Sequence, residues 1–293
     1  MHKSGFVNII GNPNVGKSTL MNRILGEKLS IVSPKAQTTR QRITGILTEN
    51  DYQIVFSDTP GILKPKYKMH ALMLSYIENA LSDADVLLYV TDSEDTKRIE
   101  NSEILQKIAT LNVPQIIVFN KIDNIKQQEL DQFFEKWQTI LSKATFIPAS
   151  AMHNYNIDTI IKKILDFLPQ HEPYFDKDNL SDRPMRFFVA ELIREKIFFN
   201  YKQEIPYSTH VVVDSFKEFP TITKISATIY IERESQKPII IGAKGAALKK
   251  VGSDARRDIE RWLGTKIFLE LYVKVDEDWR KKEGKLKNLG FEI

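Results

Sequence analysis

Apolar positions in the first 170 residues fall into short runs of strand length, at 6–10, 43–48, 52–57, 86–90, 115–119 and 145–148. The run Val86-Leu87-Leu88-Tyr89-Val90 is apolar throughout, as in a parallel strand covered on both faces. Between these runs the spacing changes to a helical period. It predicts helices opening at Thr19-Leu20-Met21 and over 70–81, 99–111, 129–141 and 157–168. In the fourth of these, Phe133, Phe134 and Trp137 read as core. Strands alternating with helices predict a doubly wound α/β domain, whose functional residues belong at the carboxyl ends of its strands.

The pattern breaks at 169–184, a polar stretch with three prolines and no period, which predicts an interdomain linker. Beyond it the pattern predicts a helix at 185–201 carrying Phe188, Leu192, Ile193, Lys196 and Phe199. Strands follow at 209–216 and 224–232, then an apolar run at 238–241, a Gly242-Ala243-Lys244-Gly245 loop and a helix. A strand at 267–275 and a basic tail at 279–289 end the chain. This half reads as α+β. The division is therefore a domain at 1–170, a linker at 171–184 and a domain at 185–293.

Composition bounds what these domains do. The chain has 293 residues, 42% hydrophobic and 27% charged, so packed cores are expected and wholesale disorder is not. It has no cysteine, which excludes a disulfide framework, thiolate zinc sites and cysteine nucleophiles. The start runs directly into the first strand, leaving no room for a signal peptide, and no apolar run approaches membrane-spanning length. Net charge is only +4, but between Lys237 and Lys266 eight basic residues face three acids. Such a cluster is either a solvated face or the footprint of a polyanion.

The chemistry begins at the first loop. Gly11-Asn12-Pro13-Asn14-Val15-Gly16-Lys17-Ser18 follows the first strand and opens into a helix at Thr19, the setting of a phosphate loop. Its backbone N–H groups and the helix N-terminus suit a polyphosphate. Lys17 reaches the β- and γ-phosphates, and the Ser18 hydroxyl suits Mg²⁺. The polar loop around Gln37-Thr38-Thr39-Arg40 supplies a threonine that meets Mg²⁺ and the γ-phosphate; Thr39 is the first choice and Thr38 the second. Asp58-Thr59-Pro60-Gly61 ends a strand, placing Asp58 toward Mg²⁺ and the Gly61 N–H toward the γ-phosphate. Asn120-Lys121-Ile122-Asp123 ends another. The Asp123 carboxylate accepts from guanine N1–H and the exocyclic amine, Lys121 lies along the ring, and Asn120 braces the loops. The backbone of Ala149-Ser150-Ala151 closes over guanine O6. Lys17, Ser18, Thr39 and Gly61 are the expected catalytic group.

In the second half, the glycines of the Gly242–Gly245 loop let backbone approach a sugar–phosphate chain, clamping about four unpaired nucleotides. The candidate RNA residues are Ile241, Gly242, Ala243, Lys244, Gly245, Lys249 and Lys250.

These five motifs together resemble the translation-factor-type GTPases, and within them the Era branch of the TrmE-Era-EngA superfamily. The order helix–strand–strand–loop–helix–strand resembles a type II KH domain. With Asp182-Arg183-Pro184, the helix segment from Ala190 to Lys196, Ile240-Ile241-Gly242-Ala243-Lys244-Gly245 and Asp278-Trp279-Arg280, the likeness covers nearly the whole chain.

The resemblance implies a GTPase with Mg²⁺ and GTP or GDP bound, working on the 3′ end of 16S ribosomal RNA in 30S subunit assembly, with nucleotide state controlling RNA binding. It implies a cytoplasmic protein. Related potassium-stimulated GTPases use the position of Asn14 for the monovalent cation, although a turn asparagine explains the residue equally well. Ile62 stands where many GTPases carry a water-orienting glutamine, so slow intrinsic hydrolysis is expected. Two other readings compete. A tRNA-modification GTPase would need a terminal cysteine that this chain lacks. A membrane-surface switch, in peripheral contact with the inner membrane, would use the basic face on anionic lipid; no lipidation cysteine supports a stable anchor.

Overall fold

The computed structural model describes residues 1–97 and 103–292. It forms two compact units. The first holds Met1–Ser30, Thr39–Lys64 and Met73–Asp182; the second holds Ile31–Thr38, Pro65–Leu72 and the chain from Arg183 onward.

The first unit is built on β1 (Lys3–Ile10), β2 (Ile43–Thr48), β3 (Tyr52–Asp58), β4 (Val86–Thr91), β5 (Gln115–Phe119) and β6 (Thr145–Pro148). They form one sheet in the order β2-β3-β1-β4-β5-β6, parallel except for the antiparallel edge strand β2. The helices of this part of the chain are α1 (Lys17–Leu25), α2 (Lys68–Ser82), α3 (Ser93–Lys97), α4 (Glu103–Ala109), α5 (Gln127–Ile140) and α6 (Ile157–Phe167). The helix expected over 99–111 is represented by α4; its first residues, Ile99 among them, lie outside the described residues. Every residue of β4 is buried, as its unbroken apolar run predicts. Tyr89 of β4, Phe119 of β5 and Trp137 of α5 pack together, with ring centroids 5.3 and 5.9 Å from Trp137. This cluster holds the site-bearing ends of β4 and β5 in register.

The stretch expected to be a linker is not free coil. Its backbone runs along the open edge of β2, where Ile46 N–H donates to Leu180 O at 2.9 Å and Ser181 Oγ to Thr44 O at 2.5 Å. The fully buried Gln53 side chain anchors it too, accepting from Tyr174 N and Phe175 N and donating to Phe175 O. An edge strand's unpaired backbone groups are thereby covered.

The second unit contains α7 (Met185–Asn200), α8 (Ile205–Ser208), β7 (His210–Glu218), β8 (Thr223–Ile231), α9 (Lys237–Ile241), α10 (Ala246–Leu263), β9 (Ile267–Val275) and α11 (Glu283–Asn288). Its sheet runs β7-β8-β9, antiparallel then parallel. Ile193 and Ile197 of α7, Ile229 of β8 and Val251, Ala255 and Ile259 of α10 form its core. Three expectations change here. The apolar run at 238–241 belongs to α9, with Pro238 in its first turn, where the missing N–H costs nothing. Phe199 turns outward, 58% exposed. The basic tail is packed down: Trp279 is fully buried, and its Nε1–H donates to Ser208 O at 3.1 Å. No helix among the described residues is long and apolar enough to cross a membrane.

Candidate functional site

The loop between β1 and α1 is closed on itself by its own lysine. Lys17 Nζ donates to Gly11 O and Asn12 O, both at 2.9 Å. Burial lowers its ammonium pKa to about 8, against the opposing pull of Asp58 and Asp95. Asp95, which sequence reasoning passed over, accepts from Asn12 Nδ2 and, at 2.8 Å, from Thr91 Oγ1. It lies one turn beyond Asp92, whose Oδ1 accepts from the Asp95 N–H. Two acids at the end of β4 were the available signal.

Three oxygen-bearing side chains converge beside this loop. Ser18 Oγ donates to Asp58 Oδ2 at 2.6 Å, Thr39 Oγ1 donates to the same oxygen at 3.1 Å, and the two hydroxyls are 3.0 Å apart. Thr39 therefore joins Ser18 and Asp58, while the carbonyl of Thr38 accepts from Arg194. Asp58 is fully buried, and burial raises its carboxyl above the usual range. Its other oxygen, Oδ1, is buried with no hydrogen-bond partner among the described residues.

Thr59 Oγ1 donates to Ile9 O at 2.8 Å and fixes the chain leaving β3. At Gly61 a Cβ would lie 2.8 Å from the backbone of Pro13, so only glycine admits this close approach of the two loops. Ile62 N–H then donates to Gly11 O at 3.2 Å. The Ile62 side chain is partly buried against the core that holds Ile10 and Phe119.

The base-reading corner is tied to the phosphate loop by Asn120. Its Nδ2 donates to Val15 O at 2.8 Å, and its Oδ1 accepts from Ala151 N at 3.0 Å. Lys121, in a left-handed conformation with φ 64°, donates to Asn14 O at 2.6 Å and Asp92 Oδ2 at 2.7 Å. Asp123 Oδ1 accepts from Ser150 Oγ at 2.6 Å, and His153 Nε2 lies 3.8 Å from Oδ2. Ser150 and Ala151 thus act on Asp123 and Asn120, roles beyond the backbone closure expected of them. The result is a set of N–H donors and one ammonium at one end and a half-open carboxylate at the other, the polarity that a guanosine polyphosphate requires.

In the second unit the loop Gly242–Gly245 joins α9 to α10. Gly242 has φ 74°, and a Cβ there would meet Ala247 N at 2.9 Å. Ile240, just before the loop, is fully buried, and its carbonyl accepts from Tyr201 Oη at 2.6 Å. Ile241 is half-buried while Ala243 and Lys244 are exposed. The basic cluster divides into two kinds. Lys250, Arg257, Arg261 and Arg256 face Asp254, Asp258 or Glu260 one turn away. Lys244 and Lys249 make no ion pair among the described residues; Lys244 lies in the loop and Lys249 in the first turn of α10.

Known proteins share both halves. A family model for 50S ribosome-binding GTPases matches residues 6–121, and a KH-domain model matches 204–280. The GTPase Era of Alkaliphilus metalliredigens (strain QYMF) is 45% identical over 99% of both chains. A crystal structure of Era with MgGDPNP and nucleotides 1506–1542 of 16S ribosomal RNA superposes with TM-score 0.96 at 39% identity, covering all of both chains. A Tyr-to-Ala variant of Era from Aquifex aeolicus, bound to GDP and aluminium tetrafluoride, gives TM-score 0.95 at 40% identity, over 99% of this chain and all of that one.

Proposed function

This chain belongs to the Era family of GTPases, and we propose that its nucleotide state sets its hold on the single-stranded 3′ end of 16S ribosomal RNA during assembly and maturation of the 30S subunit. The observation that carries this reading is one chain holding two complete constellations. One is the Lys17–Ser18–Asp58 and Asn120–Asp123–Ser150 pair of clusters. The other is a G-x-x-G loop that carries Lys244 and is followed by Lys249, neither of which makes an ion pair among the described residues. Work on ribosomal RNA is consistent with a cytoplasmic protein.

The residues fit Mg²⁺ with the nucleotide. Ser18, Thr39 and Asp58 are all oxygen donors, which suits a hard cation, and the unpartnered Asp58 Oδ1 is a buried acceptor. When bound, Mg²⁺ neutralises charge on the β- and γ-phosphates. Lys17 exchanges its hold on Gly11 O or Asn12 O for a phosphate oxygen. Gly61 N–H and the loop N–H groups orient the γ-phosphate, and Asp123 selects guanine. No side chain at position 62 orients the attacking water, so hydrolysis by the protein alone is slow. Asn14, left-handed with φ 66°, would stand at the position that related potassium-stimulated GTPases use for the cation.

Filter binding of an oligoribonucleotide matching the 3′ end tests the reading. Affinity should differ about tenfold or more between the GDP form and the form holding a non-hydrolysable GTP analogue. It should also survive excess anionic vesicles. Equal affinity in both nucleotide forms would remove nucleotide control. Vesicles displacing the RNA would favour a membrane role.

A further inference from the structure

We infer that Asp95 is a positioning residue for GTP hydrolysis: through Asn12 it holds the half of the phosphate loop that faces the γ-phosphate. The inference rests on the placement of the γ-phosphate beside Gly61 proposed above. The ties on the phosphate loop fall into two groups. Val15 O accepts from Asn120 Nδ2 at 2.8 Å and Asn14 O from Lys121 Nζ at 2.6 Å, and both donors belong to the base-reading corner. Asn12 and Pro13 lie on the other side. There the backbone of Gly61 closes on Pro13, and Ile62 N–H donates to Gly11 O at 3.2 Å. Asp95 ties this second half. Its Oδ1 accepts from Asn12 Nδ2, and Asn12 O accepts from Lys17 Nζ at 2.9 Å. A single residue therefore stands between Asp95 and the ammonium that meets the phosphates.

Asp95 can hold the loop because its own place is fixed. Its N–H donates to Asp92 Oδ1 at 2.9 Å, and its Oδ2 accepts from the buried Thr91 hydroxyl at 2.8 Å. The next residue, Thr96, donates to Asp92 O from both N–H and Oγ1, at 3.0 and 2.9 Å. Fully buried Trp137 of α5 then donates to Thr96 Oγ1 at 3.1 Å, and Lys136 Nζ to Thr96 O at 3.1 Å. The end of β4 and the start of α3 are thus clamped by α5. Asp95 is itself buried, and removing a carboxylate from water is costly unless its oxygens are bonded. One of those oxygens goes to Thr91 and the other to the phosphate loop. The consequence lies in the exchange that Lys17 must make. When the ammonium leaves Gly11 O or Asn12 O for a phosphate oxygen, a tethered Asn12 stays in place. An untethered one can follow the ammonium and misalign the loop N–H groups, whose orientation matters in the transition state. GDP has no γ-phosphate, so it should not sense this half of the loop.

The test compares the wild type with Asp95→Ala and Asn12→Ala, singly and together. It measures affinity for GDP, affinity for a non-hydrolysable GTP analogue, and single-turnover hydrolysis at saturating GTP. Each single variant should lose about tenfold in hydrolysis rate and in affinity for the analogue. GDP affinity should stay near the wild-type value, which also shows that the site is folded. Since the two residues act through one bond, the double variant should be no worse than either single variant. Asp95→Asn keeps an acceptor toward Asn12 and should restore hydrolysis. Equal losses for GDP and the analogue would make Asp95 a general support of the fold and overturn the inference. Additive losses in the double variant, or wild-type hydrolysis in Asp95→Ala, would also overturn it. Gly61→Ala separates the premise from the inference. If that variant keeps wild-type hydrolysis and analogue affinity, the γ-phosphate does not lie beside Gly61, and the role of Asp95 falls with that placement.

Discussion

Ser150 Oγ donates a 2.6 Å hydrogen bond to Asp123 Oδ1, so the carboxylate proposed to read the base is held by a hydroxyl from another strand's end. Ser150→Ala should weaken GTP binding by about 1.5 kcal/mol, roughly tenfold, without changing the preferred base. Asp123→Asn should change the base, because the amide donates where the carboxylate accepted. Competition between GTP and XTP, measured by titration, checks both. Unchanged GTP affinity in the Asp123 variant would remove that residue from the site.

Asn120 predicts a different kind of loss. Its buried amide bridges Val15 O and Ala151 N, so Asn120→Ala leaves two buried backbone groups without partners. The cost should be about 2–4 kcal/mol, shared between stability and nucleotide affinity. Thermal unfolding with and without GDP separates the shares. A variant with unchanged melting in both conditions would show that the brace is dispensable.

Lys17 and Ile62 should behave oppositely. Lys17→Ala removes the ammonium that the phosphate loop is folded around and should abolish hydrolysis. Ile62→Ala trims a partly buried side chain that carries no polar group, so single-turnover hydrolysis should change only a few-fold. A thousandfold fall, about 4 kcal/mol, would make Ile62 a catalytic determinant.

Asn14 predicts an ion dependence. Hydrolysis rates in potassium should exceed those in sodium, and Asn14→Ala should level them. Identical rates in the two salts for the wild type would leave Asn14 a turn residue whose carbonyl holds Lys121.

The sequence made the strands and their loops readable because each is contiguous. β5 and β6 occupy the expected residues, and Thr39, the first choice of two, meets Ser18 and Asp58. Contacts between distant residues were not readable. Asn12 meets Asp95 across 83 positions, and Gln53 holds Phe175 across 122. Neither leaves a periodic trace. The run of isoleucines at 239–241 was ambiguous for another reason, since a short apolar run fits a buried strand or a helix equally. Pro238, acceptable at a helix start, tips it to α9. Trp279 looked like part of a charged tail because its burial depends on His210 and Phe291, both remote or later in the chain.

On the proposed reading, RNA is held at the Gly242–Gly245 loop and GTP is hydrolysed at residues that take no part in that contact. The most direct measurement is the affinity of Ala243→Asp/Lys244→Asp for a 3′-end 16S ribosomal RNA oligonucleotide, with GTP hydrolysis measured on the same preparation. Two carboxylates at the loop should repel the phosphate chain and weaken RNA binding about a hundredfold or more, while hydrolysis stays at the wild-type rate. Wild-type RNA affinity in this variant would contradict the account.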